Sequence, residues 1–335
     1  MQTVVEVEDA FNESPDAKMP KATNEGPDLP LKGTFYPFGF AIEVKTNSEE
    51  VLAQYGQLWG EFKMLRETPP IPVEVQVVET DSTECPPATV FRIMRPYLTA
   101  VADQNNFSVV DLERSEVRTV ISQAALRHPL YAQYFILGTP GACVACRHVT
   151  AVHGACVSLN GHGIMFCGDS GAGKSTLSYA CARAGFTYVS DDGCFLENGG
   201  SGRLVTGDCY RVRFRPTAAD LFPELQGLDI TPRAAGKPSI ELSTLPMKHI
   251  IRSQTARIEA IVFLNRRSEG DAELVPFSKD AARRYMWQTL FGSQEMFAVQ
   301  SRTIEQLLDL DVQELRYSSL DSAIDRVRKL LLDGR

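Results

Sequence analysis

Residues 163–192 read GIMFCGDSGAGKSTLSYACARAGFTYVSDD, and the architecture of the chain can be worked out from this segment. Gly163–Cys167 is a short apolar run, and Ala155–Leu159 just before it is another. Asn160 and Gly161 lie between the two runs and are a turn signal, so the pair predicts a β-hairpin. The second strand of this hairpin would lead directly into a loop rich in glycine.

That loop satisfies the pattern GxxxxGK(S/T) and is followed by the helical run Ser175–Ala184. Glycines let main-chain N–H groups turn around phosphate oxygens, and the N-terminus of the helix adds positive potential. Lys174 can then reach the β and γ phosphates, while the Ser175 hydroxyl can ligate Mg²⁺. The candidate nucleotide-binding residues are Gly168, Asp169, Ser170, Gly171, Ala172, Gly173, Lys174, Ser175 and Thr176. A dinucleotide motif, GxGxxG, is disfavoured because Thr176 occupies the place of its third glycine.

Two acidic residues follow the predicted helix closely. Gly185 fits a left-handed cap, and Phe186–Val189 is a short β-prone segment that leads to Asp191 and Asp192. The arrangement predicts a minimal βαβ unit with both carboxylates at the edge of the sheet that carries the phosphates. Like charges at this distance raise one pKa, so one carboxylate could bind Mg²⁺ while the other accepts a hydroxyl proton. Away from such a loop, two adjacent acids are more often a solvated turn.

The rest of the chain divides into three predicted parts. Residues 1–32 are rich in proline and charge and predict a flexible tail. Residues 33–150 mix short apolar runs with helix-like stretches and predict an α+β N-terminal domain. Residues 151–335 form the predicted domain with the glycine-rich loop. The main predicted elements outside the loop region are helices over Ser48–Leu65, Ser115–Leu126, Lys279–Leu290 and Leu320–Leu332, and strands over Val73–Val78, Val90–Met94 and Ile258–Leu264.

Composition excludes several functional classes. The chain has 335 residues with 34 basic and 42 acidic side chains, a net charge of −8, which argues against a broad nucleic-acid footprint. No apolar run approaches the roughly 20 residues that a membrane helix needs, and the first thirty residues have no apolar core of a signal peptide. We therefore expect a soluble cytoplasmic protein that binds neither nucleic acid nor membrane.

The segment from Val152 to Asp192 resembles the HPr kinase/phosphorylase family of bacteria, whose core also resembles phosphoenolpyruvate carboxykinase. The residues that carry the resemblance are Val152, His153, Gly154, Gly168–Ser175, Ala182, Arg183, Ala184, Gly185, Asp191 and Asp192. The resemblance implies an α/β fold with a P-loop nucleotide-binding core of this type, preceded by the α+β domain. It also implies that Asp191 deprotonates a serine hydroxyl, that Asp192 lies on the Mg²⁺ side, and that His153 orients Asp191.

The sequence departs from the family pattern at several points. Thr176 stands where the family usually has Glu, and the segment from Tyr210 to Arg215 is only a loose counterpart of an acidic-Arg-Gly signature, with Asp208 as the nearest acid. The loop rich in Gly and Arg that accompanies the family's reverse phosphorolysis is not evident. These departures predict a related kinase without the reverse activity.

The leading hypothesis is a kinase that uses ATP and Mg²⁺ to phosphorylate a serine hydroxyl of a peptide or small protein. A kinase of free serine or another small alcohol is the second hypothesis, and a nucleotide-sensing module is the third. Arg211, Arg213 and Arg215 alternate along a predicted strand and could neutralise phosphate or bind an acidic peptide, although a solvated edge strand fits equally well. Arg233 and Lys237 lie in a segment that could be a substrate loop. The oligomeric state stays open, a homo-oligomer included.

Overall fold

The computed structural model describes residues 27–80, 85–231 and 238–333. Most of the predicted tail and the residues Arg233 and Lys237 therefore lie outside the described residues. Leu31 and Lys32, the last two residues of the predicted tail, begin the first strand. Within the described ranges the chain is a mixed α/β structure whose strands form three sheets.

The strands of the described residues, in chain order, are β1 Leu31–Phe35, β2 Ile42–Thr46, β3 Ile71–Val78, β4 Val90–Met94, β5 Tyr97–Asp103, β6 Asn106–Asp111, β7 Glu116–Ser122, β8 Val149–His153, β9 Ala155–Leu159, β10 His162–Cys167, β11 Thr187–Ser190, β12 Gly193–Glu197, β13 Leu204–Thr206, β14 Arg211–Phe214, β15 Ile230–Thr231, β16 Ser239–Ser243, β17 Thr255–Arg266, β18 Glu273–Pro276 and β19 Val312–Tyr317. The helices are α1 Glu49–Trp59, α2 Gln123–Leu126, α3 Pro129–Tyr131, α4 Thr139–His148, α5 Lys174–Arg183, α6 Lys279–Trp287, α7 Gln294–Leu307 and α8 Leu320–Asp333. A π-helical segment, Ala132–Gly138, joins α3 to α4. In these ranges no helix has both the length and the hydropathy that crossing a bilayer requires.

The first sheet contains β1 to β7 in the order β1-β2-β3-β7-β6-β5-β4. Its central strands β2, β3 and β7 are parallel, and the flanking pairs are antiparallel. Alternate strand residues such as Val73 and Val75 are fully buried and belong to one apolar cluster with Tyr55 of α1 and Val144 of α4. α1, which lies between β2 and β3 in the chain, and α4, which follows β7, thus both pack against the sheet in this cluster.

The larger sheet has the order β11-β9-β10-β17-β13-β12-β8, and β19 extends it by pairing with β17 and with β18. Helices α5 and α8 pack on one face, and α6 and α7 pack on the other. Because both faces are covered, the residues from Gly163 to Cys167 are all buried, which explains the continuous apolar run in the sequence. The third sheet, β14-β16-β15, packs beside α5 through Val212 and Phe214.

The structure confirms the predicted hairpin into the loop. β9 and β10 pair antiparallel with Leu159 opposite His162, and Asn160 and Gly161 both have positive φ, 52° and 88°. Strand and helix then follow each other as the sequence indicates, with α5 starting at Lys174 and Gly185 taking a left-handed φ of 92° after it ends. Local turn chemistry is enough to specify this part of the fold.

Two interpretations of the sequence need correction. The helix predicted over Ser115–Leu126 is wrong for most of its length, because Glu116–Ser122 is β7 and helix begins only at Gln123. Its buried residues alternate, a period of two that a helix would not produce. The predicted βαβ unit is also not one of adjacent strands, because β9 lies between β10 and β11 and runs antiparallel to both.

The predicted helix over Ser48–Leu65 is shorter in the structure. α1 spans Glu49–Trp59, and the chain then turns so that the Leu65 N–H donates to the Gly39 carbonyl at 2.9 Å. This turn brings the buried Phe62 against Tyr210, which directly precedes β14, and the two ring centroids are 5.3 Å apart. A tertiary contact therefore ends the helix before the helical pattern of the sequence ends.

Candidate functional site

The loop and the acidic pair lie at the same edge of the larger sheet. The register places Ser190 at the end of β11 opposite Cys156 of β9, and Cys156 opposite Met165 of β10. β10 and β11 therefore run in the same direction, two strand spacings or roughly 10 Å apart, and β10 continues to Cys167, two residues beyond the level at which β11 ends. Asp191 and the loop that begins at Gly168 follow these two strand ends directly.

The loop between β10 and α5 has a conformation that only glycine adopts readily. Gly168, Gly171 and Gly173 have φ values of 142°, 95° and 98°. The Ala172 N–H donates to the Asp169 carbonyl at 3.0 Å and closes a turn. A side chain at Gly173 would also lie 2.8 Å from the Tyr317 hydroxyl, so both backbone angle and space require glycine there.

Lys174 is a buried cation at the start of α5, with 6% of its surface exposed. Its Nζ donates to the carbonyls of Gly168 at 2.6 Å and Asp169 at 3.3 Å. Among the described residues no carboxylate comes within 4.0 Å of this ammonium group. Burial lowers the pKa of Lys174, and the nearby charge of Asp192 opposes that effect. Ser175 and Thr176 follow in the first turn and are partly exposed.

Asp191 is a buried carboxyl group, with 7% of its surface exposed. Its Oδ2 accepts a hydrogen bond from the main-chain N–H of Arg213 at 2.9 Å. Burial raises the pKa of Asp191 to about 7, and the charge of Asp192 adds to the rise, whereas the Arg213 N–H lowers it. A carboxyl group of this pKa exchanges protons near neutral pH, the range that suits a general base.

Asp192 is half exposed and contacts His153, which ends β8. His153 Nδ1 lies 3.0 Å from the Asp192 carbonyl oxygen and 3.3 Å from its Oδ1. The Gly154 N–H donates to the same carbonyl at 3.2 Å. The structure thus brings His153 to Asp192, while the sequence analysis expected it beside Asp191.

Tyr285 of α6 is a site residue that the sequence analysis missed. Its hydroxyl lies 2.8 Å from the His153 carbonyl and 2.8 Å from the Gly168 carbonyl, so it joins the acidic side of the site to the loop. Nothing in the local pattern distinguishes Tyr285 from an ordinary residue on a half-buried helix face. Its role depends on the packing of α6 against the sheet.

Of the three alternating arginines, Arg211 and Arg213 are on β14 and Arg215 follows its end, and each binds a different partner. Arg211 pairs with Asp208 at 2.8 Å, and it also donates to the carbonyls of Gln57 and Leu58 at the end of α1. Arg213 pairs with Glu241 at 2.8 Å. Arg215 reaches the loop, where its Nη2 donates to the Ser170 hydroxyl at 3.0 Å.

A cavity of about 460 Å³ opens beside Asp191, between the first sheet with its helices and the larger sheet. Aromatic side chains and small residues of α4 contribute to its lining. Five charged residues also line it: Asp191, Asp192, Asp208, Arg211 and Arg213. A cavity of this volume is within the range of small-molecule and side-chain binding sites.

The donor set can be tested for a metal ion. In the described ranges no group of three or more His, Cys, Asp or Glu side chains could hold one. Mg²⁺ does not require such a group, because it usually keeps several waters and takes one or two protein ligands together with substrate phosphates. Ser175 and Asp192 are the predicted ligands of that kind.

Comparison with known proteins gives little beyond this geometry. No protein-family model matches the chain, and no curated protein matches its sequence. Among solved structures, the Hpr(Ser) kinase/phosphatase from Coxiella burnetii is similar over 55% of this chain and 99% of that chain, with 13% sequence identity and a TM-score of 0.28. A TM-score of this size does not establish a common fold.

Proposed function

We propose that this protein is an ATP-dependent phosphotransferase that transfers the γ-phosphoryl group to a serine hydroxyl of a peptide or small protein. One observation carries the proposal. A glycine-rich loop and a carboxyl group of pKa about 7 follow strands that end at the same sheet edge, and the buried lysine of the loop has no ion pair within 4.0 Å among the described residues.

The residues of the loop fit a triphosphate. Lys174 is held by neutral carbonyl groups, and burial disfavours its charged form. An anion bound beside it would therefore stabilise the charged ammonium group. Gly168–Thr176 would hold the phosphates, and Ser175 and Asp192 would ligate Mg²⁺. Bound ATP with Mg²⁺ would supply the phosphoryl group and neutralise its charge.

The remaining residues act on the acceptor. The Asp191 carboxylate takes the proton of the serine hydroxyl while the hydroxyl oxygen bonds to the γ phosphorus and the bond to the β-phosphate oxygen breaks. Arg215 donates a hydrogen bond to Ser170 and thereby adds positive charge beside the loop that would hold the phosphates. His153 and the Gly154 N–H fix the main chain of Asp192 and thereby the position of both carboxylates.

Two substitutions test the proposal, with transfer from labelled ATP to a pool of serine peptides as the readout. Lys174→Met should weaken ATP binding and reduce transfer by about 100-fold or more. Asp191→Asn should reduce transfer by about 10²–10⁴-fold and leave ATP affinity unchanged. Lys329→Met is the matched control, because Lys329 is exposed on α8. Normal transfer by the Lys174 variant would refute the assignment.

A kinase of free serine or another small alcohol is the second candidate, and the enclosed position of Asp191 favours it. The same labelled ATP assay with separate peptide and small-molecule pools distinguishes the two. A nucleotide-sensing module would bind ATP with or without the Asp191 carboxylate and would label neither pool.

A further inference from the structure

The cavity beside Asp191 combines charged and aromatic lining residues, and the proposed reaction does not by itself require the aromatic ones. The aromatic lining includes Phe38, Trp59 and Phe62, which precede the glycine-rich loop in sequence by more than a hundred residues. The charged lining residues are Asp191, Asp192, Asp208, Arg211 and Arg213. A hydroxyl group placed at Asp191 would therefore have an apolar surface next to it.

Small residues of α4 and of the turn before it leave this space open. Gly138, Gly141, Ala142 and Ala145 line the cavity, and their spacing of three, four and seven residues puts them on one helix face. A Cβ added at Gly141 would lie 3.9 Å from Cζ2 of Trp59, an ordinary contact distance. The π-helical segment Ala132–Gly138, a rare conformation that often occurs at functional sites, leads into this face.

Phe38 contributes a second, independent observation. It has φ 54° and ψ 18°, a left-handed conformation that costs a bulky residue about 1–3 kcal/mol. Its ring lies 3.9 Å from the ring of Phe195, measured between centroids. Phe195 belongs to β12, which begins directly after Asp192. A strained aromatic residue of the cavity lining thus contacts the strand that directly follows the acidic pair.

We infer that this cavity is an acceptor subsite that selects a serine with a large apolar side chain two residues before or after it. The inference rests on the proposed function, because it assumes that the serine hydroxyl reaches Asp191. In an extended peptide, residues two apart point to the same side at about 7 Å, so both groups can enter one cavity of this size. The occupant is therefore an apolar-flanked serine of a peptide or small protein.

The first experiment compares acceptor peptides with the full chain. The peptides Ac-Ala-Ala-Ser-Ala-Phe-Ala-NH₂ and Ac-Ala-Phe-Ala-Ser-Ala-Ala-NH₂ are each compared with the same peptide in which alanine replaces phenylalanine and the serine is kept. kcat/KM should be at least about 10-fold higher for one of the Phe peptides. Equal values for all four would overturn the inference while leaving the kinase proposal intact. Preference for 2-phenylethanol over every peptide would overturn the assignment of a peptide occupant.

A cavity-filling variant locates the effect. Gly141→Leu should reduce kcat/KM for the preferred Phe peptide by about 10-fold or more and change the value for the alanine peptide much less. Gly56→Leu is the matched control, because Gly56 is an exposed helical glycine of α1 where an added Cβ would meet no atom within 4 Å. An equal loss for both peptides, or no loss, would contradict the subsite.

A binding measurement separates this inference from the proposed function. The chain has two tryptophans, and Trp287→Phe leaves Trp59 in the cavity wall as the fluorescent reporter. Titration with the Phe peptides should change its emission saturably, and the alanine peptide should not. If the wild-type chain labels no acceptor but Trp59 still responds, the kinase proposal fails and the subsite stands. No response to either Phe peptide would overturn the subsite.

Discussion

Asp191 combines two properties that oppose each other, because a buried carboxyl group is disfavoured in its charged form, yet a general base must give up its proton. The sequence analysis proposed the acidic pair as site residues and expected like-charge repulsion to raise one pKa. In the structure, burial is the larger cause and the charge of Asp192 the smaller one. The sequence could not show this, because the burial of Asp191 depends on β14 and on the helices of the first sheet.

Replacing Asp191 should stabilise the protein at alkaline pH. The pKa of Asp191 is about 7 in the folded chain and 3.8 as its ordinary value, so the folded state binds the proton more tightly. The stabilisation by this group is full below about pH 4 and is lost as the pH rises through 7. Asp191→Asn should therefore raise the free energy of unfolding at pH 8 by about 1–3 kcal/mol more than at pH 5.

Urea unfolding at the two pH values checks this expectation. Asp309→Asn, at an exposed position after α7, is the control and should show no such difference. An Asp191→Asn variant that is equally or more destabilised at pH 8 than at pH 5 would contradict the raised pKa. The measurement does not depend on any enzymatic activity.

At the scale of elements, the predictions were most accurate where local chemistry decides the structure. The turn at Asn160-Gly161, the cap at Gly185 and the strands β4 and β17 lie where the pattern predicts them. The helix predicted over Ser115–Leu126 failed because the segment is rich in β-branched residues, and the neighbouring strands β3 and β6 supply the pairing. The pairing residues of β3 and β7 are 44 residues apart in the chain, as for Val73 and Val117, so a local pattern does not show this partner strand.

Arg211 connects two elements that the sequence does not relate. Its guanidinium group donates to the last carbonyls of α1 and pairs with Asp208, and 16% of its side chain is exposed. Arg211→Met should lower the free energy of unfolding by about 2–3 kcal/mol, because hydrogen bonds to a charged group at a helix C-terminus are lost.

Chemical denaturation followed by Trp59 fluorescence measures this effect at the end of α1. Arg92→Met, an exposed position on β4, is the control and should change stability by less than about 0.5 kcal/mol. If both variants have the same stability, the contact between Arg211 and α1 contributes nothing measurable.

At the scale of the whole molecule, a small number of polar contacts connect the two large sheets. Arg66 binds Glu197 of β12 through two hydrogen bonds of 2.8 and 2.6 Å, and the Lys63 N–H donates to Gln254 at 3.1 Å. The pairing with Arg66 lowers the pKa of Glu197. Lys63 and Arg66 follow Phe62 closely in the chain, and Phe62 is one of the aromatic residues that line the cavity.

A double-mutant cycle of Arg66→Ala and Glu197→Ala should give a coupling energy of about 1 kcal/mol at neutral pH, since each side chain is about one-third exposed. Because the folded pKa of Glu197 is lowered, this coupling is present above its unfolded pKa and should disappear as the pH falls towards 3. Unfolding at pH 7 and pH 3, each at low and high salt, measures it. A coupling that is independent of both pH and salt would contradict an ionic interaction.

The sequence predicted the loop and the carboxylates but not the cavity next to them. The loop and the acidic pair lie within 25 residues, so their spacing carries the information. The cavity combines Phe38, Trp59, Gly141 and Phe195, which the topology of both sheets brings together. No periodicity or motif relates these four positions in the chain.

The hydrogen bond from position 213 to Asp191 comes from the main chain. Any residue with an amide hydrogen supplies it, so replacing Arg213 by alanine would keep this bond while removing the pair with Glu241 and the guanidinium charge, which also lowers the pKa of Asp191. Proline alone among the twenty amino acids removes this donor. This hydrogen bond to the carboxyl group is therefore kept by almost every point mutation at position 213, and homologous chains could vary there without losing it.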